Sequence, residues 1–201
     1  MSKTVLAVLR HGQTDWNIDF RLQGITDIPL NETGIAQAAE AAAVLANTKW
    51  DHLLSSPLSR AFDTAQIVAS KIGFSEVEIE PRLLERSFGE AEGLRHDEWK
   101  EKYPNPNLVP GGESLDELRV RSNELLDHLA HVYEGKSVLA ISHGALIRKL
   151  VRIVSAGELP REGERFGNTS MCVFEHVDSY WQIKRYDPRT LHLSTHGDLV
   201  I

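Results

Sequence analysis

Short aliphatic and β-branched runs alternate along this chain with longer stretches in which apolar residues return every three or four positions. Thr4–Leu9 is the first short run and predicts a buried strand ending at Arg10-His11-Gly12. From Thr33 onward, Ile35, Ala38, Ala39, Ala42 and Leu45 keep helical spacing, with Thr33 or Asn31 placed to cap the helix. A second strand, His52–Ser55, stops at Ser56-Pro57. A helix over Ser59–Lys71 then carries Ala61, Ala65, Ile67 and Val68 on its apolar side and closes at Gly73. Val77–Ile79 predicts a short strand. Pro104, Asn105, Pro106, Asn107 and Pro110-Gly111-Gly112 interrupt regular structure. Ser114 and Glu117 next form a capping box for a long helix carrying Leu115, Leu118, Leu125, Leu126, Leu129 and Val132. Val138–Ser142 is the most strand-like segment and runs into His143-Gly144 and a helix through Ile147, Leu150, Val151 and Val154. Met171–His176 and Trp181–Tyr186 have no helix between them and predict a hairpin.

Strands alternating with helices imply crossover connections and a mostly parallel sheet. The expected fold is therefore α/β, a three-layer sandwich whose central sheet is covered by helices on both faces. With no linker, repeat or low-complexity segment, residues 1–201 are expected to form one domain. In such sheets ligands lie at the carboxyl ends of the strands. That rim is where Arg10-His11-Gly12, Ser55-Ser56 and Ser142-His143-Gly144 fall, so two imidazoles separated by 132 positions should share one site. Glycine after each histidine would let a ligand or the partner ring approach closely.

Charge narrows the ligand. The 201 residues include 22 basic and 29 acidic side chains, a net charge of −7, with no Lys/Arg-rich run. A polyphosphate backbone wants a basic face, so nucleic acid is not expected, and an anionic ligand must be small and held by local charges. No apolar run approaches the roughly 20 residues needed to span a bilayer, and Val5–Leu9 is too short for a signal-peptide core; the expected location is the cytoplasm. The single cysteine, Cys172, sits in an apolar strand and reads as a buried hydrophobe. His52, His96, His128, His131, His176, His192 and His196 lack the companion carboxylates or cysteines of a metal site, so neither metal nor cofactor is expected.

The block Leu9-Arg10-His11-Gly12-Gln13-Thr14, with Asn17 and Gln23-Gly24, resembles the signature of the histidine phosphatase superfamily, in its phosphoglycerate-mutase-like branch. The resemblance continues through Leu30-Asn31-Glu32-Thr33-Gly34, Ser55-Ser56-Pro57-Leu58-Ser59-Arg60-Ala61, Leu83-Leu84-Glu85-Arg86-Ser87-Phe88-Gly89, Pro110-Gly111-Gly112-Glu113-Ser114 and Ser142-His143-Gly144. It implies that His11 is a nucleophile, that Arg10, Arg60 and His143 bind phosphate, and that Glu85 is the acid. Asn17 matches a phosphate-contacting position, and Gln23, Gly24 and Gly144 belong with the substrate-binding set. The chemistry fits these roles. A neutral histidine attacks phosphorus if its other ring nitrogen donates to a fixed acceptor. Preorganised donors are needed around the equatorial oxygens of the transferred group, and the leaving alkoxide needs a proton. Ser114 is accounted for by its cap; Glu113 stays open.

The family includes hydrolases and mutases, and three features favour a hydrolase. Segment Glu92–Asn107 carries three basic against four acidic residues, a poor match to a doubly phosphorylated ligand. Ala145 follows the second His-Gly where the mutases usually carry asparagine, and Phe88 stands where they carry tyrosine. The expected activity is metal-independent hydrolysis of small phosphate monoesters through a phosphohistidine; a bisphosphoglycerate-dependent phosphoglycerate mutase is the alternative. A small phosphorylated metabolite is the expected partner, with no membrane, and a homodimer stays open.

Overall fold

The computed structural model describes residues 2–192. Six strands, β1 (Thr4–Arg10), β2 (His52–Ser55), β3 (Glu78–Ile79), β4 (Ser137–Ser142), β5 (Ser170–Val177) and β6 (Tyr180–Thr190), form one sheet in the order β3-β2-β4-β1-β5-β6. The pairs β1–β4, β2–β4 and β2–β3 are parallel, while β5 runs antiparallel to both β1 and β6. The sheet is thus mostly parallel, with the expected hairpin added at one edge.

Alternation along β1 explains why both faces need cover. Ala7 and Leu9 point to one side, where they pack with residues of α2 (Glu32–Leu45) and α3 (Ser59–Ile72), among them Ala41, Leu45, Ala61 and Val68. Leu6 and Val8 point to the other, against Leu125 and Leu129 of α5 (Leu115–Val132) and Ile147 and Leu150 of α6 (Gly144–Val154). The helix ends follow their sequence signals. Asn31 caps α2 by accepting from Gly34 N, Gly73 closes α3 in the left-handed conformation at φ 86°, and Ser114 and Glu117 cap α5 reciprocally. Cys172 is buried, and that burial pushes its thiol up to about 12, as suits an inert core residue. Among the described residues no helix is long and apolar enough to cross a membrane.

Two expectations about surfaces need correction. The buried side of α2 is Gly34, Ala38, Ala41, Ala42, Val44 and Leu45, whereas Ile35 is 51% exposed and Ala39 lies outside as well. The helix turns its smallest residues inward because its first turn lies against the backbone after β1. A Cβ on Gly12 would sit 2.4 Å from Gly34 O, and one on Gly34 would sit 2.1 Å from Gln13 O. Gly12 therefore serves backbone packing. A Cβ on Gly144, by contrast, would make only ordinary contact, 3.5 Å from Arg10 Nε. The second correction is that Leu115 and Val132, at the two ends of α5, are exposed.

Candidate active site

Strand register brings the two His-Gly pairs together. Arg10 is paired with Ser142 across the parallel ladder, so the next residues, His11 and His143, emerge side by side from neighbouring strand ends. Their ring centroids are 5.1 Å apart at an interplanar angle of 55°. Ser55 pairs with Ile141 in the adjoining strand, which puts Ser56 within reach, and its Oγ lies 2.7 Å from His143 Nε2.

His11 is almost wholly buried, and its Nδ1 lies 2.6 Å from Gly12 O. Burial first, then the Arg10 and Arg60 charges, hold the ring well below the usual imidazole value, against a smaller opposing pull from the Gly12 carbonyl. The ring is neutral near pH 7. A carbonyl oxygen can only accept, so the proton sits on Nδ1 and Nε2 carries the lone pair. His143 is likewise pushed well down by burial, Arg60, His11 and Arg10.

The two arginines reach this corner from different elements. Arg10 ends β1 and donates from Nη1 to Phe166 O; burial lowers it to about 10, so it keeps its charge at neutral pH. Arg60, in the first turn of α3, is fully buried and donates to Gly24 O at 2.7 Å and Thr26 O at 2.9 Å. Its terminal nitrogens are thus engaged by carbonyls. Arg10 Nε, Arg60 Nε and His143 Nδ1 are buried with no hydrogen-bond partner among the described residues.

Glu85 follows the 3₁₀ turn Pro81–Leu83 and lies at the start of α6. Its carboxylate accepts from Ala145 N at 3.0 Å, Leu146 N at 3.1 Å and Arg86 N at 2.9 Å. A helix N-terminus is a natural seat for a carboxylate. Glu113, left open by the sequence, is structural. It grips Arg121 with two hydrogen bonds of 2.8 and 2.7 Å, and Arg121 in turn donates to the carbonyls of Arg82 and Leu84, just before Glu85.

Asn17 sits in a one-turn helix, α1 (Asp15–Ile18), that the sequence pattern missed. Its Oδ1 accepts from Thr14 N and Asn168 Nδ2, leaving its amide NH₂ for a ligand. Gln23 accepts from Thr14 Oγ1, and Gly24 holds Arg60, so both support the site from behind while bordering the cavity. Asn168 was also missed. It ties His11 O to Asn17 Oδ1 at 3.1 and 3.0 Å, yet no local pattern around it signals a site.

These groups open into a cavity of about 990 Å³ bordered by Arg10, His11, Asn17, Gln23, Gly24, Arg60, Glu85 and Gly144. His143 lies just behind the wall. The helix α4 (His96–Lys102), for which the sequence pattern predicts no element, contributes His96, Trp99 and Lys100 to the outer wall. Among the described residues no three His, Cys, Asp or Glu side chains converge in a way that could hold a metal.

Residues 6–188 match the family model of the histidine phosphatase superfamily (branch 1). The chain is 37% identical to a Bacillus subtilis protein named uncharacterized phosphatase PhoE, over 95% of this chain and 97% of that one. It is 34% identical to an Arabidopsis thaliana metal-independent phosphoserine phosphatase (98% and 86% covered) and 33% identical to the Photorhabdus laumondii probable phosphoglycerate mutase GpmB (95% and 94%). The solved structure of mycobacterial glucosyl-3-phosphoglycerate phosphatase Rv2419c with VO3 superposes with a TM-score of 0.78 at 30% identity, covering 93% of this chain and 99% of that one. Matched over nearly its whole length, with its two strand-end histidines face to face, this chain belongs to the histidine phosphatase superfamily.

Proposed function

We propose that the chain, acting as one domain in the cytoplasm, hydrolyses small phosphate monoesters by passing the phosphoryl group through His11. The observation that carries this reading is the Nδ1 hydrogen bond to Gly12 O, which fixes the tautomer and leaves the Nε2 lone pair beside two buried arginines. His11 Nε2 forms the bond to phosphorus as the bond to the ester oxygen breaks. Glu85 gives the departing oxygen a proton, then takes one from the water that attacks the phosphohistidine, so that phosphate leaves and His11 is restored. Arg10 Nε, Arg60 Nε and His143 Nδ1 supply unpartnered donors for the three equatorial oxygens. In the tautomer in which Ser56 Oγ donates to His143 Nε2, the His143 proton sits on Nδ1. Asn17 adds a further donor.

Hydrolysis, not mutase action, is the better supported activity. One part of the sequence argument for it needs revision, because Glu92–Asn107 does not set the charge of the cavity. Glu92 turns away to accept from Ile25 N and Thr26 N, and the wall is basic through other residues. Phe88 lies edge-on to Trp99, with ring centroids 5.9 Å apart, and the Ala145 methyl offers no polar group.

Activity toward p-nitrophenyl phosphate is expected to survive exhaustive chelation, and orthovanadate, which resembles the trigonal phosphoryl group, is expected to inhibit. Loss of activity in chelator, restored by a divalent ion, would contradict the reading. The pH profile gives a second check. The neutral ring attacks, and its proton affinity is lowered by burial and by Arg10 and Arg60, so activity should persist below pH 6.5 and fall only as pH drops through the lowered value. An acid limb of kcat/KM centred at or above pH 6.5 would show that the ring is not held neutral.

A further inference from the structure

Arg60 spends both terminal nitrogens on one loop. Nη2 donates to Gly24 O at 2.7 Å and Nη1 to Thr26 O at 2.9 Å, so these two carbonyls set the plane of the guanidinium and the aim of its unpartnered Nε. Asp27, next in the loop, accepts from Ser59 N at 2.9 Å and from Ser59 Oγ at 2.8 Å, which ties down the first turn of α3 from which Arg60 projects. Whatever fixes residues 24–27 therefore fixes a phosphate donor.

The loop is held from behind by Glu92, which follows the 3₁₀ turn Gly89–Ala91 and does not border the cavity. Its carboxylate accepts from Ile25 N at 3.0 Å and Phe88 N at 3.0 Å through Oε1, and from Thr26 N at 2.9 Å and Thr26 Oγ1 through Oε2. Four donors fill the sites that the two oxygens offer. Gly24 makes this approach possible: its φ is 55°, and a Cβ there would sit 2.0 Å from Glu92 Oε1. Glu92 is also a counter-charge. Burial lowers the Arg60 guanidinium below its ordinary value, and Glu85, Asp27 and Glu92 oppose that shift.

We propose that Glu92 is a positioning residue for phosphoryl transfer. Acting through the Gly24–Thr26 backbone, it holds the Arg60 guanidinium at the depth and angle from which Nε meets an equatorial phosphate oxygen. This rests on the phosphatase reading above. Small displacements matter here, because a donor stabilises the transferring group only when it is already aimed at the oxygen it will meet. A staple that merely kept the loop folded would weaken the protein whether or not Arg60 were present. A residue that acts through Arg60 has nothing left to act on once that side chain is gone.

The test is a double-mutant cycle of Glu92→Gln with Arg60→Gln, read as calorimetric Kd for inorganic phosphate and as kcat/KM for p-nitrophenyl phosphate. Glutamine keeps the length of Glu92 but in either amide orientation sets its NH₂ against a backbone N–H, of Thr26 or of Ile25 and Phe88. In wild-type protein Glu92→Gln should weaken phosphate binding and lower kcat/KM by about tenfold each, the scale of one misaligned charge-assisted hydrogen bond. In Arg60→Gln protein the same change should alter either quantity by less than about twofold. Thr26→Val, which removes only the hydroxyl bond to Glu92, should repeat the pattern with a smaller loss of about fivefold, and it carries the comparison if Glu92→Gln does not fold. No loss in wild-type protein, or an equal loss in Arg60→Gln protein, overturns the positioning role. Because phosphate binding needs no turnover, protein that shows this coupling in Kd but hydrolyses no ester would count against the phosphatase reading alone.

Discussion

Alanine in place of His11 is expected to lower kcat/KM for phosphate monoesters by about 10⁴-fold or more, because it removes the atom to which phosphorus becomes bonded. Phosphate binding should suffer much less. The remaining donors approach from separate elements: Arg10 from the end of β1, Arg60 from α3 and Asn17 from α1. The substitution also leaves the main-chain hydrogen bonds of the strand end intact, among them His11 N to Ser142 O at 2.9 Å. Steady-state kinetics beside calorimetric binding of inorganic phosphate would separate the two effects. A loss under tenfold in kcat/KM would transfer the nucleophile's role to another group.

Glu85→Gln should have the next largest effect, and its size should depend on the leaving group. Glutamine keeps the carbonyl oxygen that can accept from Ala145 N or Leu146 N but has no carboxyl proton to deliver. Esters of alkyl alcohols, whose alkoxides need that proton, should slow by about 10²- to 10⁴-fold. p-Nitrophenyl phosphate, whose phenolate departs largely unaided, should slow far less in the step that forms phosphohistidine. Presteady-state rates on the two ester classes would measure the split. Equal losses on both would leave Glu85 as an anchor for α6 without a part in proton transfer.

The fold was legible in the sequence because hydrophobic periodicity and helix caps agreed. Ser114 with Glu117, Gly73 and the run Val138–Ser142 each mark a boundary or element that the structure contains, to within a residue. Which side of α2 faces inward was not legible. That choice depends on a tertiary contact between Gly12 and Gly34, which lets backbone meet backbone and leaves the larger Ile35 outside. Short polar elements such as α1 and α4 were missed for a related reason: neither has a buried residue, so neither writes a hydrophobic period.

For the site, the motif blocks named His11, His143, Arg10, Arg60 and Glu85 together, and the parallel register of β1 and β4 gives the physical reason that Arg10, His11 and His143 meet. The character of the cavity wall was harder to read. Counting charges over Glu92–Asn107 treated a stretch of sequence as though all of it faced the ligand, whereas Glu92 faces the chain around Thr26. Of the nine basic residues of the wall only Lys100 comes from that stretch, whereas three, Arg148, Lys149 and Arg152, come from α6, where they are interleaved with the buried Leu150 and Val151. A helix read only for its apolar stripe hides what its other side presents.

The central claim is that phosphorus passes through His11. It is tested most directly by mixing the protein with a phosphate monoester, quenching within a turnover into alkaline denaturant, and mapping the phosphoryl group by peptide mass spectrometry. Wild-type protein is expected to carry up to one phosphoryl group per chain on a ring nitrogen of His11, stable in alkali and lost in acid, with none trapped on His11→Ala. A phosphoryl group trapped on any other residue, or labelling that survives in His11→Ala, would contradict the account.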